Sequence, residues 1–150
     1  MNLTLVGLSH HATPIRVRER AFVPLPKAAE VARQLAGEGE AVCLSTCNRT
    51  ELYLVGEESE RRALDALAEI SGLPEEELGA VVYRLAGEAA AVHLFRVAAG
   101  LDSMVPGEGE ILGQVRDAYE AGSCGPVLDR LFRQALHAGK KVRAETAIAW

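Results

Sequence analysis

No stretch of this 150-residue chain approaches the ~20 consecutive apolar residues that a membrane span requires. The first apolar run, Leu3–Leu8, has no basic residue before it and stops at His10 and His11. It therefore reads as neither a span nor a signal peptide. Cysteine is scarce: three residues, an odd number, with no export signal, which points to free thiols in a reducing compartment. A cytoplasmic protein is expected. Positive charge is also in deficit, and a net charge of −5 argues against broad nucleic-acid binding. Internal repeats and low-complexity tracts are lacking.

What is present fits one soluble domain: 49% apolar and 25% charged residues, in a chain long enough to bury a core. The positive charge is gathered locally. Arg130, Arg133, Lys140, Lys141 and Arg143 face only Asp129 between Val127 and Arg143, and Arg16, Arg18 and Arg20 form a smaller group. A solvated helix face explains such a stripe, and a local phosphate contact is the functional alternative.

Hydrophobic periodicity predicts strands over 2–8, 40–45, 51–55 and 80–86. Helices are predicted over 14–21, 26–36 and 59–71, then over 88–99, 108–121 and from 126 onward. The order is β-α-β-β-α-β, so the expected fold is α+β, a ferredoxin-like sheet with helices on one face and additional C-terminal helices. "ETAIAW" carries no stop signal, and the chain is expected to continue into a longer protein.

Between two strand-like runs lie Thr46, Cys47, Asn48, Arg49 and Thr50. A thiol beside a guanidinium is not needed to reverse a chain. Cys43, inside a strand, behaves as a small hydrophobe; Cys47 is surrounded by hydrogen-bonding groups and one fixed charge. A thiol of pKa ~8.5 is only about 3% thiolate at neutral pH, and lowering it to ~6.5 takes about 2.7 kcal/mol of differential stabilisation. Arg49 offers that charge, or else a planar fork for a substrate carboxylate.

His93 is the strongest histidine for pairing with the thiol, against the plain alternative of a packed core group, and His10 and His11 follow the first strand toward the same end. Cys43 and Cys47, spaced Cys-x3-Cys with no second pair, give little support for zinc, and no metal is expected. Gly107, Gly109 and Gly113 lack a preceding strand and a downstream acid, so they read as a turn entering a helix rather than as a dinucleotide site.

"GLSHHATPIRVRE" (7–19), "LSTCNRTELY" (44–53), "HLFRVAAGLDSMVPGEGEILGQVRDAY" (93–119) and "LFRQALHAGKKVRAET" (131–146) resemble, in order, the N-terminal catalytic part of the glutamyl-tRNA reductases. The resemblance implies a ferredoxin-like catalytic domain in which Cys47 attacks the ester carbonyl of glutamyl-tRNA. Hydride from NADPH then converts the thioester to glutamate 1-semialdehyde, for tetrapyrrole (porphyrin, haem) synthesis. A thioester is the easier species to reduce.

By motif position, Thr46, Asn48, Arg49, Ser103, Glu108, Gly109, Glu110 and Gln114 are expected to bind substrate, and His93 to act as an acid/base or orienting group. Glu110 stands where the family usually has Gln. The resemblance further implies NADPH-binding and dimerisation domains outside residues 1–150, a homodimer of the full-length protein, and an aminomutase partner that takes up the aldehyde. The fragment is then expected to act as an esterase and not as a reductase. Two other classes are weighed against this: a thiol-based redox or metal sensor, and a non-catalytic module that binds RNA or protein.

Overall fold

Four short runs rich in apolar residues form one antiparallel sheet in a computed structural model of the chain. The structure describes residues 2–103 and 109–146, of Thr146 the backbone only. The strands are β1 (Leu3–Ser9), β2 (Glu40–Ser45), β3 (Arg49–Val55) and β4 (Tyr83–Ala86), in the spatial order β2-β3-β1-β4. Seven helices are described: α1 (Ile15–Arg20), α2 (Leu25–Ala36), α3 (Ser59–Ser71), α4 (Glu75–Gly79), α5 (Glu88–Ala98), α6 (Glu110–Ala121) and α7 (Pro126–Thr146). The protein is thus a mixed α and β fold around a four-stranded antiparallel sheet.

Helices cover both faces of the sheet, which is why the three longer strands are buried nearly throughout. Val6, Leu8, Ala41, Cys43, Leu52 and Leu54 point to one side and pack with apolar residues of α1 to α4. Their strand neighbours Leu3, Leu5, Val42, Leu44 and Tyr53 point to the other, against α5, α6 and α7.

Three differences from the sequence expectation matter. The expected strand over 80–86 is confined to Tyr83–Ala86. Before it runs the short helix α4, entered through Pro74 with Glu75, Glu76 and Glu77 in its first turn, a composition that favours a helix N-terminus. The helix expected from Glu108 is described from Glu110, and Glu108 itself lies outside the described residues. The β2–β3 connection is three residues rather than five. Ser45 pairs with Thr50, and Thr46 N donates to Arg49 O (2.7 Å), so Arg49 belongs to the sheet.

α7 begins where a remote carboxylate waits for it. Glu40, the first residue of β2, accepts from the backbone N–H groups of Gly125 (2.7 Å), Val127 (3.2 Å) and Leu128 (2.7 Å). Three donors left open by the first turn are thereby satisfied. At its far end α7 crosses α5 closely: a Cβ on Gly139 would lie 2.8 Å from the Ala98 carbonyl oxygen. Arg143, fully buried, donates from Nε to that same oxygen (3.4 Å). It therefore leaves the basic surface stripe expected from the sequence, whereas Arg130, Arg133, Lys140 and Lys141 remain exposed.

Candidate active site

Ser9 pairs with Arg49 and Ser45 with Thr50, so the end of β1, the end of β2 and the start of β3 meet at one edge of the sheet. Cys47 sits there in the short loop, exposed, while the other two thiols are not available in the same way. Burial pushes the Cys43 thiol up to about 12. Burial, then the charges of Glu40 and Asp129, push the Cys124 thiol up to about 11.

The loop is held from both sides. Asn48 N donates to Thr46 Oγ1 (3.1 Å), His10 N donates to Asn48 O (3.0 Å), and Arg18 Nη1 donates to Asn48 Oδ1 (3.5 Å). On the other face, Thr50 Oγ1 donates to Ala21 O (3.0 Å) and shares a hydrogen bond with Ser45 Oγ (2.7 Å). Val23 N donates to Ser45 Oγ (2.9 Å), which ties the segment before α2 to the end of β2.

A cleft of about 150 Å³ opens beside the sulfur. Thr46, Cys47, Asn48 and Arg49 form one wall; Ser103 and, from α6, Glu110, Ile111 and Gln114 form the other. Glu110 and Gln114 are one helical turn apart and so share a face. The sequence had nominated all of these except Ile111. Gly109, also nominated, precedes α6 in the open and does not line the cleft.

Arg49 is 2% exposed and already engaged. Its Nη1 donates to Glu51 Oε2 (3.0 Å), and its Nη2 donates to Asp102 O (2.7 Å) and Asp102 Oδ2 (3.0 Å). Asp102 in turn faces His11, with Nε2 and Oδ1 3.3 Å apart. Of the two roles the sequence offered Arg49, stabilising a thiolate is weakened, since two carboxylates offset its charge. Three of its five N–H groups are taken by these bonds.

Glu51 was not singled out from the sequence, yet it is the hub beneath the cleft. It is fully buried and accepts from Arg49, from Tyr53 Oη (2.8 Å to Oε1) and from Tyr83 Oη. His93 Nε2 lies 2.5 Å from its Oε2. Burial alone would raise the Glu51 carboxyl, but the His93 hydrogen bond and charge, the Arg49 charge and the Tyr83 bond hold it down at about 2. Burial and the Glu51 charge push both tyrosine hydroxyls above their ordinary range, which keeps them protonated donors.

Gly7 makes room for this arrangement. It lies between Glu51 and Tyr83 in the sheet register, and a Cβ there would come within 2.8 Å of Glu51 Cγ and 3.1 Å of Tyr83 Cε2.

The histidines therefore divide. His10 and His11 contact the Cys47 loop and Asp102, whereas His93 packs against Tyr83 (5.4 Å between ring centroids) and connects to the cleft through Glu51 and Arg49. Burial first, then the charges of His11 and Arg49, lower the His10 pKa.

One signal for Glu51 was in the sequence: Arg49, Glu51 and Tyr53 put polar groups at alternate positions, on the face opposite Leu52 and Leu54. Asp102 and Tyr83 gave none. A larger hollow of about 480 Å³ lies between α2 and α3, but none of the nominated residues lines it. Among the described residues, no group of three or more His, Cys, Asp or Glu is placed to hold a metal ion, and no helix is long and apolar enough to cross a membrane.

Comparison with known proteins follows the same residues. The family described as "Glutamyl-tRNAGlu reductase, N-terminal domain" matches residues 6–146. A glutamyl-tRNA reductase of Rubrobacter xylanophilus is 48% identical over 157 residues, covering 99% of this chain and 37% of that protein. One from Trichormus variabilis is 43% identical over 158 residues, again covering 99% and 37%. The solved structure of the glutamyl-tRNA reductase from Methanopyrus kandleri superposes with a TM-score of 0.74 at 32% identity, covering 96% of this chain and 35% of that one. The chain thus spans little more than a third of the length of the relatives it matches.

Proposed function

The chain belongs to the family of glutamyl-tRNA reductase N-terminal domains, and from that premise we propose that it carries the acyl-accepting half of the reductase reaction. The observation that carries the reading is the exposed Cys47 sulfur on the wall of a small polar cleft. The thiolate of Cys47 attacks the ester carbonyl, the bond to the ribose oxygen breaks, and a glutamyl thioester remains on the protein. Thr46, Asn48, Ser103 and Gln114 supply hydroxyl and amide groups to the glutamyl moiety. Arg49 offers a substrate carboxylate the N–H groups not used on Glu51 and Asp102. Glu108 and Glu110 belong to the same substrate-binding segment.

His93 acts as a positioning residue: through Glu51 it fixes the orientation of Arg49. The strand order β2-β3-β1-β4, with α2 and α3 as crossovers, supports reading the domain as ferredoxin-like.

NADPH supplies the hydride that turns the thioester into glutamate 1-semialdehyde, bound by a domain outside residues 1–150. The share of the relatives' length that this chain covers supports that placement. Dimerisation belongs to the same remainder, the product passes to an aminomutase, and the protein works in the cytoplasm. Exposed basic residues at the C-terminal half of α7, Lys140 among them, supply phosphate contacts that the acidic net charge does not.

The test is intact-mass measurement after mixing this chain with glutamyl-tRNA. One glutamyl adduct is expected on the wild type and none on Cys47→Ser, with glutamate released slowly and no aldehyde formed when NADPH is added. An adduct that persists in Cys47→Ser would refute the assignment, and aldehyde formed by this chain would refute the division of labour.

A further inference from the structure

Cys47 borders two hollows. Besides the polar cleft, a second one of about 370 Å³ lies on the other side of the sulfur, between the start of α2, the outer edge of β2 and α6. Thr46, Cys47 and Gln114 line both and form the partition between them. The second hollow differs in chemistry. Phe22, Val23, Leu25 and Ala28 make it apolar, Asp117 gives it one carboxylate, and among the described residues no basic residue lines it. Its volume falls in the ~300–1,000 Å³ range of small-molecule sites. Two of its large apolar side chains are held half in solvent, Phe22 at 46% and Leu25 at 47% exposed. Phe22 is not loose: the Ala21 carbonyl accepts from the Thr50 hydroxyl and the Val23 N–H donates to the Ser45 hydroxyl.

An ester has two halves, and a nucleophile that splits it stands at their junction. If the acyl half occupies the polar cleft, the alcohol half must lie across the partition. For an aminoacylated RNA that half is the terminal adenosine, a flat base on a ribose with a neighbouring hydroxyl. We infer that the apolar hollow receives this adenosine, with the base on Phe22 and the ribose hydroxyl donating to Asp117. The inference rests on the reading of Cys47 as acyl acceptor.

A base face stacks on an aromatic ring whatever its sequence context. A hollow with a carboxylate and no cation suits a neutral nucleoside and disfavours a diphosphate-bearing dinucleotide. As the carbon–sulfur bond forms, the electron pair of the breaking carbon–oxygen bond leaves on the ribose oxygen. The proton given up by the thiol returns to that oxygen through solvent, so the adenosine departs with its hydroxyl restored.

The experiment measures Cys47 acylation by intact mass with two esters, 2′(3′)-O-glutamyl-adenosine and glutamyl methyl ester. Phe22→Ala and Asp117→Asn, both at exposed positions, are compared with the wild type. Phe22→Ala is expected to slow the adenosine ester roughly tenfold, within the range that loss of one stacked base gives, and to leave the methyl ester within about twofold. Asp117→Asn is expected to slow the adenosine ester alone, and free adenosine to compete with the adenosine ester.

If both variants accept the adenosine ester at the wild-type rate, or lose both esters equally, the adenosine subsite is overturned while acyl acceptance by Cys47 stands. Slowing by reduced nicotinamide mononucleotide but not by adenosine would also overturn it, in favour of the hydride donor. No adduct from either ester would remove the acyl-acceptor reading and this inference together.

Discussion

Glu51 carries a full charge with no solvent around it, and its partners come from two strands and a helix. Its carboxyl sits at about 2, against an ordinary 4.5, so the folded chain holds the proton less tightly than the unfolded chain does. Its contribution to stability is therefore complete above pH 4.5 and lost as the pH falls toward 2. Glu51→Gln removes the charge at nearly constant shape, leaving Arg49 with Asp102 and His93 with no anion. We expect urea unfolding at pH 7 to report a loss of about 3 kcal/mol, typical of breaking a buried pair from one side. The acid-induced fall in stability between pH 4.5 and 2 should shrink in the variant; an unchanged acid profile would refute the role given to Glu51.

The uneven legibility of these residues has a physical cause. Thr46 to Arg49 are contiguous, and their composition is odd for a turn, so the sequence exposed them. Asp102 and Tyr83 gain their roles only when residues 53 positions from Arg49 and 32 from Glu51 close onto them.

Elements were legible where propensity and periodicity agree, and less so where a partner elsewhere in the chain decides the boundary. β2 and α3 begin and end where alternation and helical spacing place them. The start of β3 was misplaced by two residues, because Arg49 and Thr50 look like turn residues until Ser9 and Ser45 pair with them. α4 was missed because five residues carry too little periodicity to register. α7 was read correctly from Pro126, but not its capping carboxylate, which lies 88 positions before Leu128.

That cap yields a prediction about the element as a whole. Glu40→Ala leaves the N–H groups of Gly125, Val127 and Leu128 without their acceptor and removes a negative charge from the positive end of the helix. A loss of about 2 kcal/mol is expected, at the upper end for helix caps. It should appear as a lower urea midpoint with an unchanged slope, while Cys47 acylation persists because the cleft lies at the opposite end of β2. A changed slope would mean that α7 detaches rather than weakens.

At the scale of the whole molecule, the chain carries a net charge of −5 while the proposed substrate is a polyanion, so attraction has to be local. α7 decides where. Its Gly139 and Arg143 pack on Ala98, a few residues before Asp102 and Ser103, so its C-terminal half lies at the site end of the sheet. Lys140 there shares a hollow of about 260 Å³ with Arg116 and His137, while Gln114, two residues from Arg116, lines the cleft beside Cys47. Arg116 and Lys140 are thus the basic residues best placed to hold phosphates of an RNA whose end reaches Cys47.

Each phosphate contact contributes roughly 0.7–0.9 to the slope of log affinity against log salt. Replacing both residues with Ala should therefore flatten the salt dependence of Cys47 acylation by glutamyl-tRNA by about 1.5 in that slope. Acylation by a small glutamyl ester, which has no phosphates, should depend little on salt in either protein. A double variant with the wild-type slope would place the RNA on another face, such as the one carrying Arg130 and Arg133. The fold would then separate the proposed acyl acceptor from the proposed polyanion contact more widely than the path of α7 implies.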